Sequence, residues 1–303
     1  MRWRRQPLKE ELLLEEKLQS LIREVKTKLD EASMYQAQCL LRKAVKDYPC
    51  AESFNNLGVF YAFEGRYDRN ENRYNAFFRA ERVLKQALSK SFLPSAELAL
   101  GYLYFTRKRY KKAVCCYQKA YCENRDFSTA YNVALTYYKI RNYHQAVIWA
   151  TKALEKGTET EQVEATILKL FSSQNLKAPE CQRDIERVMN IDDSFLLEEK
   201  FVLTYLRGDM KAAQEQTALL LDKYCLEAPV MAMVFDCLLS QNLVCDANSA
   251  LERRIEELND YDYNVNLEIH RLQKAFSRES YRKRLIASYR YNHPTIFQPC
   301  YLE

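Results

Sequence analysis

Histidine, the side chain most often used in acid–base and metal chemistry, is scarce in this chain, and its three positions are widely spaced. Its histidines are His144, His270 and His293. None of them lies at a spacing that a metal site or an activated nucleophile requires. Cys115 and Cys116 are adjacent and Cys122 follows, but neighbouring residues on a helix point about 100° apart, so we predict buried thiols rather than metal ligands. The sequence therefore predicts no enzyme, no metal site and no cofactor.

Glycine and proline, the residues that favour turns, are scarce in this chain, and their scarcity predicts the type of secondary structure. Only 5 of 303 residues are Gly and 7 are Pro, whereas Gly alone makes up about 7% of an average protein. A β-sandwich, a barrel or a Gly-rich phosphate loop needs more turn chemistry than this. Hydrophobic content of 48% is enough for a sizeable core. The composition therefore favours an all-α fold.

The distribution of charged and apolar residues predicts where the protein is located and which partners it binds. No stretch approaches the roughly 18 uninterrupted apolar residues of a membrane span, and Lys9, Glu10 and Glu11 precede any apolar run of signal-peptide length. The ten cysteines lie mostly in helical patterns, which favours reduced thiols in the cytoplasm. A net charge of +5 over the whole chain is too mild to predict nucleic-acid binding by itself.

A two-part pattern repeats along the first half of the chain. Its first part places a small residue before a tyrosine, in Leu57-Gly58-x2-Tyr61, Leu100-Gly101-x2-Tyr104 and Val133-Ala134-x2-Tyr137. Its second part is alanine-rich, in Ala80-x3-Leu84-x2-Ala87, Ala113-x3-Tyr117-x2-Ala120 and Ala146-x3-Ala150-x2-Ala153. The step from Ala87 to Ala120 to Ala153 is 33 residues both times. The small residues let two helices approach, so the pattern predicts a stacked array of helical hairpins.

This pattern resembles the tetratricopeptide repeat (TPR) family over about residues 35–154. Three departures are visible: the family's Trp position holds Phe54, Glu97 and Ala130, the period is nearer 33 than 34, and about ten residues are inserted between Tyr67 and Ala80. The resemblance implies a right-handed superhelical solenoid of helix-turn-helix repeats.

The predicted organisation has four parts. Residues 1–34 form an N-terminal helical cap, residues 35–158 are TPR-like repeats with the insertion near 68–80, residues 159–260 are degenerate helical pairs, and residues 261–303 are a capping helix and tail. The second helix of the inserted repeat is expected to start near Asn72 and to expose Phe77 or Phe78. Acidic pairs such as Glu198-Glu199 are expected to cap or solvate helix starts.

The resemblance also implies a binding surface, because the first helix of each pair lines a concave groove in this family. Counting from Gly58, Gly101 and Ala134, the predicted binding residues are Asn55, Asn56, Phe63, Tyr102, Phe105, Tyr131, Asn132 and Tyr138. The same count places Glu52, Val59, Leu98 and Leu135 on this face. Asn can donate to and accept from a peptide backbone together, and Tyr adds contact area at low entropy cost. A carboxylate clamp is disfavoured, because the relevant positions hold Asn55, Val59, Ala99, Ser128 and Asn132, without a cation.

The predicted function is a non-enzymatic scaffold that binds an extended peptide or a partner-protein helix in the groove. One alternative is a peptide-responsive regulatory sensor. Another is nucleic-acid binding through a final helix of about residues 264–289, where Arg271, Lys274, Arg278 and Arg282 recur at three- and four-residue steps with Tyr281, Tyr289 and Tyr291 nearby. The expected partner is a protein or peptide, with nucleic acid less favoured and no membrane.

Overall fold

The structure is a computed structural model that describes residues 31–67, 72–176, 182–191, 196–223, 226–259 and 265–292. Within these ranges it contains fifteen α-helices and no β-strand, which confirms the predicted all-α helical repeat fold. The predicted cap of residues 1–34 lies largely outside the described part of the chain. The described residues divide into two compact units, one up to Arg141 and the other from Asn142 onward.

The helices of each unit follow one another with short connections. The first unit contains α1 (Glu31–Asp47), α2 (Ala51–Tyr67), α3 (Asn72–Lys90), α4 (Pro94–Thr106), α5 (Tyr110–Glu123) and α6 (Phe127–Lys139). The second unit contains α7 (Tyr143–Leu154), α8 (Glu159–Leu176), α9 (Gln182–Met189), α10 (Leu197–Leu206), α11 (Met210–Lys223), α12 (Ala228–Ser240), α13 (Val244–Asn259), α14 (Asn266–Ser277) and α15 (Glu279–Asn292).

Local signals explain several helix ends. Pro94 opens α4 at a position where a missing N–H costs nothing. Asp126 caps α6 by accepting a hydrogen bond of 2.7 Å from the Thr129 N–H. Gly208 adopts φ +82° in the turn between α10 and α11, a left-handed conformation that glycine tolerates best.

The small residues of the repeat allow close helix contact, as predicted. A Cβ atom added at Gly58 would lie 2.6 Å from Leu84 Cγ on α3, and one at Gly101 would lie 2.5 Å from the ring of Tyr117 on α5. Real Cβ atoms are essentially never this close to a neighbour. The glycines therefore set the distance between the two helices of each hairpin.

The insertion lengthens both helices of its hairpin. Helices α2 and α3 have 17 and 19 residues, whereas α4 and α5 of the next hairpin have 13 and 14. The predicted start of α3 at Asn72 is confirmed. Phe77 is only 3% exposed and lies beside Gly65, whereas Phe78 is 64% exposed. The extension is thus packed on one side and presents Phe78 to solvent.

The end of the described chain differs from the sequence prediction. A single helix over 264–289 is wrong, because Arg278 has an extended backbone (φ −127°, ψ 105°) that separates α14 from α15. Arg282 then donates to the carbonyls of Ala275 (3.1 Å) and Phe276 (3.2 Å) in the last turn of α14. The break is stabilised by these bonds, which satisfy carbonyls that a helix end leaves unpaired.

Candidate functional site

The first helices of the hairpins in the first unit are the most deeply buried elements of that unit. Residues 55–62 of α2, 95–104 of α4 and 129–136 of α6 are buried without interruption. The second helix α5, by contrast, buries only Ala113, Val114, Cys116, Tyr117 and Ala120. A helix that is buried around its whole circumference is covered on every side. The inner face of this unit, formed by the predicted groove positions of α2, α4 and α6, is therefore covered in the structure.

The predicted binding residues divide by exposure. The buried ones are Asn55, Asn56, Tyr102, Tyr131, Asn132 and Tyr138. Phe63 at the end of α2 and Phe105 at the end of α4 are half-buried. α2 also contacts α4, so the predicted binding residues of these two helices lie on neighbouring elements.

Asn55 differs from the other residues of this face. Its side chain is 0% exposed, and both the Oδ1 and Nδ2 atoms are buried without a hydrogen-bond partner among the described residues. A buried polar group left unpaired costs about 1–3 kcal/mol, so native structures rarely keep one without a reason. The amide of Asn55 is thus a buried donor and acceptor that the described part of the chain leaves unpaired.

The inner face carries little charge. Its buried positions are Asn55, Val59, Leu98, Tyr102, Tyr131, Leu135 and Tyr138. Glu52, in the first turn of α2, is exposed, and burial lowers the pKa of Lys139, in the last turn of α6, to about 8. Glu97 instead accepts a hydrogen bond of 3.2 Å from Lys119 on the second helix α5. The described residues of this face are therefore mainly uncharged.

In the second unit, the last helix lies against the central first helices. The Asp236 carboxylate on α12 accepts hydrogen bonds from the Tyr205 hydroxyl of α10 (2.8 Å) and from Arg282 Nε of α15 (3.0 Å). α12 contacts α10, α11, α13, α14 and α15. Phe276 of α14 also meets Phe235 edge to face at 5.6 Å. Within this unit, α15 therefore packs on α12.

The far end of α15 reaches a group of carboxylates that the sequence did not reveal. Burial, and then the carboxylates of Glu198, Glu199, Glu164 and Glu227, raise the pKa of Tyr289. Burial also raises the pKa of Glu198 to about 7, with Glu199 and Glu227 adding to the effect. The acidic pair does lie in the first turn of α10, as predicted, but Glu198 is half-buried rather than solvated. Glu227, which adds to this effect, lies far along the sequence, so local pattern does not encode the interaction.

The basic residues of the predicted final helix do not form one ridge. Arg282 is buried on Asp236, and Arg271 pairs with Glu268. Lys274 and Arg284 lie over the Tyr281 ring, at 4.9 Å and 5.4 Å from its centroid. Tyr289 is buried, and Tyr291 is half exposed. The helix break and these pairings disperse the positive charge.

The cysteines correct one prediction. Cys116 is buried, and burial raises its pKa, but Cys115 and Cys122 are exposed rather than buried. Among the residues that the structure describes, no group of three or more His, Cys, Asp or Glu side chains is arranged to hold a metal ion. In the same ranges, no helix is both long and apolar enough to cross a membrane.

The geometry defines a repeat protein built from helical hairpins. The family model for subunit 3 of the anaphase-promoting complex, or cyclosome, matches residues 69–157. A tetratricopeptide repeat protein from Parabacteroides merdae is 18% identical over 86% of this chain and 99% of its own, with a TM-score of 0.56. The apo form of RapI is 14% identical over 91% of this chain and 86% of its own, with a TM-score of 0.57. No curated protein matches the chain.

These findings agree with the repeat pattern and with the helical hairpins. The match over residues 69–157 and the likeness to solved structures show a helical fold of the tetratricopeptide repeat type.

Proposed function

We propose that the protein is a non-enzymatic interaction scaffold whose first unit binds an extended peptide segment of a partner protein on the inner face of α2, α4 and α6. Tetratricopeptide repeat proteins are typically scaffolds of this kind. The observation that carries the proposal is the buried, unpaired amide of Asn55 on a face that is otherwise apolar and aromatic.

An extended peptide supplies a hydrogen-bond donor and an acceptor for the unpaired amide of Asn55. Its main chain offers one N–H and one C=O per residue, which together match the donor and acceptor of one Asn amide. Its apolar side chains would pack against Leu98, Tyr102 and Tyr138 and keep them out of water once the face has opened. Because these residues are buried in the structure, a partner can reach them only after the face has opened.

The half-buried phenylalanines give the cleanest test of this surface. Peptides that bind the full chain are selected from a random library, and their affinities are compared in variants. Phe63→Ala together with Phe105→Ala should weaken binding by 10-fold or more, because aromatic anchors dominate interfaces. Phe78→Ala, an exposed aromatic on the extension, is the matched control and should leave the affinity unchanged. Equal affinities in all three proteins would contradict the proposal.

The nucleic-acid alternative gains no support, because its basic residues are dispersed and several are paired.

A further inference from the structure

The turn between α4 and α5 in the first unit carries a dense group of cations. Residues 107–112 read Arg-Lys-Arg-Tyr-Lys-Lys, and between residues 98 and 122 the chain has six Lys or Arg and no Asp or Glu. Four of these cations are exposed, and we call them the basic turn: Lys108, Arg109, Lys111 and Lys112. The positive charge of this stretch is therefore concentrated at one end of one hairpin.

The carboxylate that binds beside this turn already has its partners. Glu81 of α3 accepts hydrogen bonds of 2.8 Å from Arg107 and Lys85, and one of 3.0 Å from the hydroxyl of Tyr104. Lys112 lies over the ring of Tyr104, 5.6 Å from its centroid. Within the described residues, no salt bridge reaches any of the four residues of the basic turn. Their charge is thus available to a partner.

Lys108 occupies a strained backbone position. Its φ is +56°, in the left-handed region that L residues other than Asn and Asp rarely adopt. Arg141, which follows α6, has φ +66°, whereas the same position in the turns of the second unit holds Gly208 (φ +82°) and Asn242 (φ +60°). In all four turns the N–H of this residue donates to the carbonyl three residues before it. The turn alone favours Gly or Asn, so a lysine at position 108 points to a role for its charge.

The first turn of α5 is also basic, against the preference of a helix. The N-terminal end of a helix carries partial positive charge, so acidic residues stabilise it and cations destabilise it. α5 has no acidic residue in its first turn, and Arg109 supplies no side-chain cap, whereas Asp126 caps the next helix. Lys111 and Lys112 lie in this turn of α5. A bound carboxylate would offset this excess of positive charge.

We propose that the basic turn binds an acidic segment of a partner protein, with Lys108, Lys111 and Lys112 paired to its carboxylates. Exposed cations without salt bridges match a run of Asp and Glu by charge. Single-stranded nucleic acid fits this surface less well, because its bases stack on exposed aromatic rings. Tyr110, the aromatic residue of this turn, is half-buried and packs edge to face on Phe105 at 5.3 Å. The basic turn would be a second protein-binding surface, distinct from the inner face.

Fluorescence anisotropy of a labelled deca-glutamate peptide with the full chain tests the proposal. The double variant Lys108→Gly, Lys111→Glu should bind the peptide about 10-fold or more weakly, since it removes two ion pairs and adds a repulsive charge. The control Lys43→Glu, Lys46→Gln lowers the net charge equally at exposed positions of α1 and should bind as the wild type does. Equal losses in the two variants, or no binding to the wild type at low salt, would overturn the proposal.

Stability separates a binding role from a structural one. Lys108→Gly relieves the positive φ, and Lys111→Glu suits the N-terminal end of α5. The double variant should therefore unfold at a higher urea concentration than the wild type although it binds deca-glutamate more weakly. A lower unfolding midpoint would show that the two lysines serve the fold, and it would overturn the proposal.

Nucleic acid is the competing occupant, and it is tested with labelled single-stranded RNA and duplex DNA of matched length. If either binds the wild type more tightly than deca-glutamate does at the same salt concentration, and loses affinity in the double variant, the proposal of an acidic segment is overturned. Weaker binding than that of deca-glutamate would support it. The result is independent of the proposed function, because the probe and the substituted residues differ from those that test the inner face.

Discussion

Gly101 should be a site of low tolerance, because its neighbour on α5 is a fully buried aromatic ring. A Cβ atom at this position would lie 2.5 Å from Cε1, 2.6 Å from Cδ1 and 2.9 Å from Cζ of Tyr117. The ring itself is 0% exposed and cannot move into solvent. Any side chain at position 101 must therefore push α4 and α5 apart or displace the ring.

The magnitude follows from two opposing effects. Overpacking of a core costs about 1–3 kcal/mol, whereas replacing a helical Gly by Ala gains about 1 kcal/mol of helix propensity. Gly101→Ala should therefore lower the free energy of unfolding by about 0–2 kcal/mol. Gly101→Leu, which adds three more carbons to the same contact, should lower it by roughly 3 kcal/mol or more.

Urea unfolding followed by circular dichroism measures both changes. Tyr117→Leu shrinks the opposing side chain, so the Gly101→Ala, Tyr117→Leu pair should show favourable coupling in a double-mutant cycle. Gly208→Ala serves as a control, since nothing lies within 4 Å of its added Cβ and only the positive φ is strained. A stabilising Gly101→Ala with no coupling to Tyr117 would refute the close-contact argument.

Three further predictions concern stability. The pKa of Glu198 is about 7 in the fold, above its ordinary value, so the folded state binds this proton more tightly and the free energy of unfolding should fall as pH rises from about 4.5 through 7. The loss should be about 1–2 kcal/mol after allowance for partial exposure. Urea titrations at pH 5 and pH 8 measure the change in unfolding free energy between the two pH values, and Glu198→Gln should reduce this change by the same amount. An unaltered change would contradict the raised pKa of Glu198. Arg282→Ala should cost about 2–3 kcal/mol by leaving the Asp236 charge without its partner, and adding Asp236→Asn should recover part of the loss, whereas additive losses would argue against the pair. Phe77→Ala should cost about 3–4 kcal/mol in thermal or urea unfolding, whereas Phe78→Ala should change stability by less than about 0.5 kcal/mol; equal costs would contradict the packing of the extension.

The repeats were accessible from sequence because their signal is local and recurs. The 33-residue spacing predicted the hairpins, and the positions of Gly58 and Gly101 predicted which helix pairs approach closely. The start of α3 at Asn72 followed from the apolar spacing of Phe77, Ala80 and Leu84. Each of these inferences depends on residues within one hairpin.

The features that sequence did not reveal depend on contacts between distant residues. No Pro or Gly marks the break at Arg278, which is stabilised by bonds from Arg282 to α14 and α12. The raised pKa of Glu198 depends on burial and on Glu227, which lies far along the chain, and the amide of Asn55 is unpaired because it is buried. Counting from Gly58 placed Asn55 on the inner face but did not predict that this face is covered.

Photocrosslinking tests most directly whether the inner face of the first unit is the peptide-binding surface. Benzoylphenylalanine is placed at position 105 or at position 78 of the full chain, and each protein is irradiated with a peptide selected for binding to the wild type. The account predicts a peptide adduct at position 105 and none at position 78. An adduct at position 78, or none at position 105 while the peptide remains bound, would contradict it.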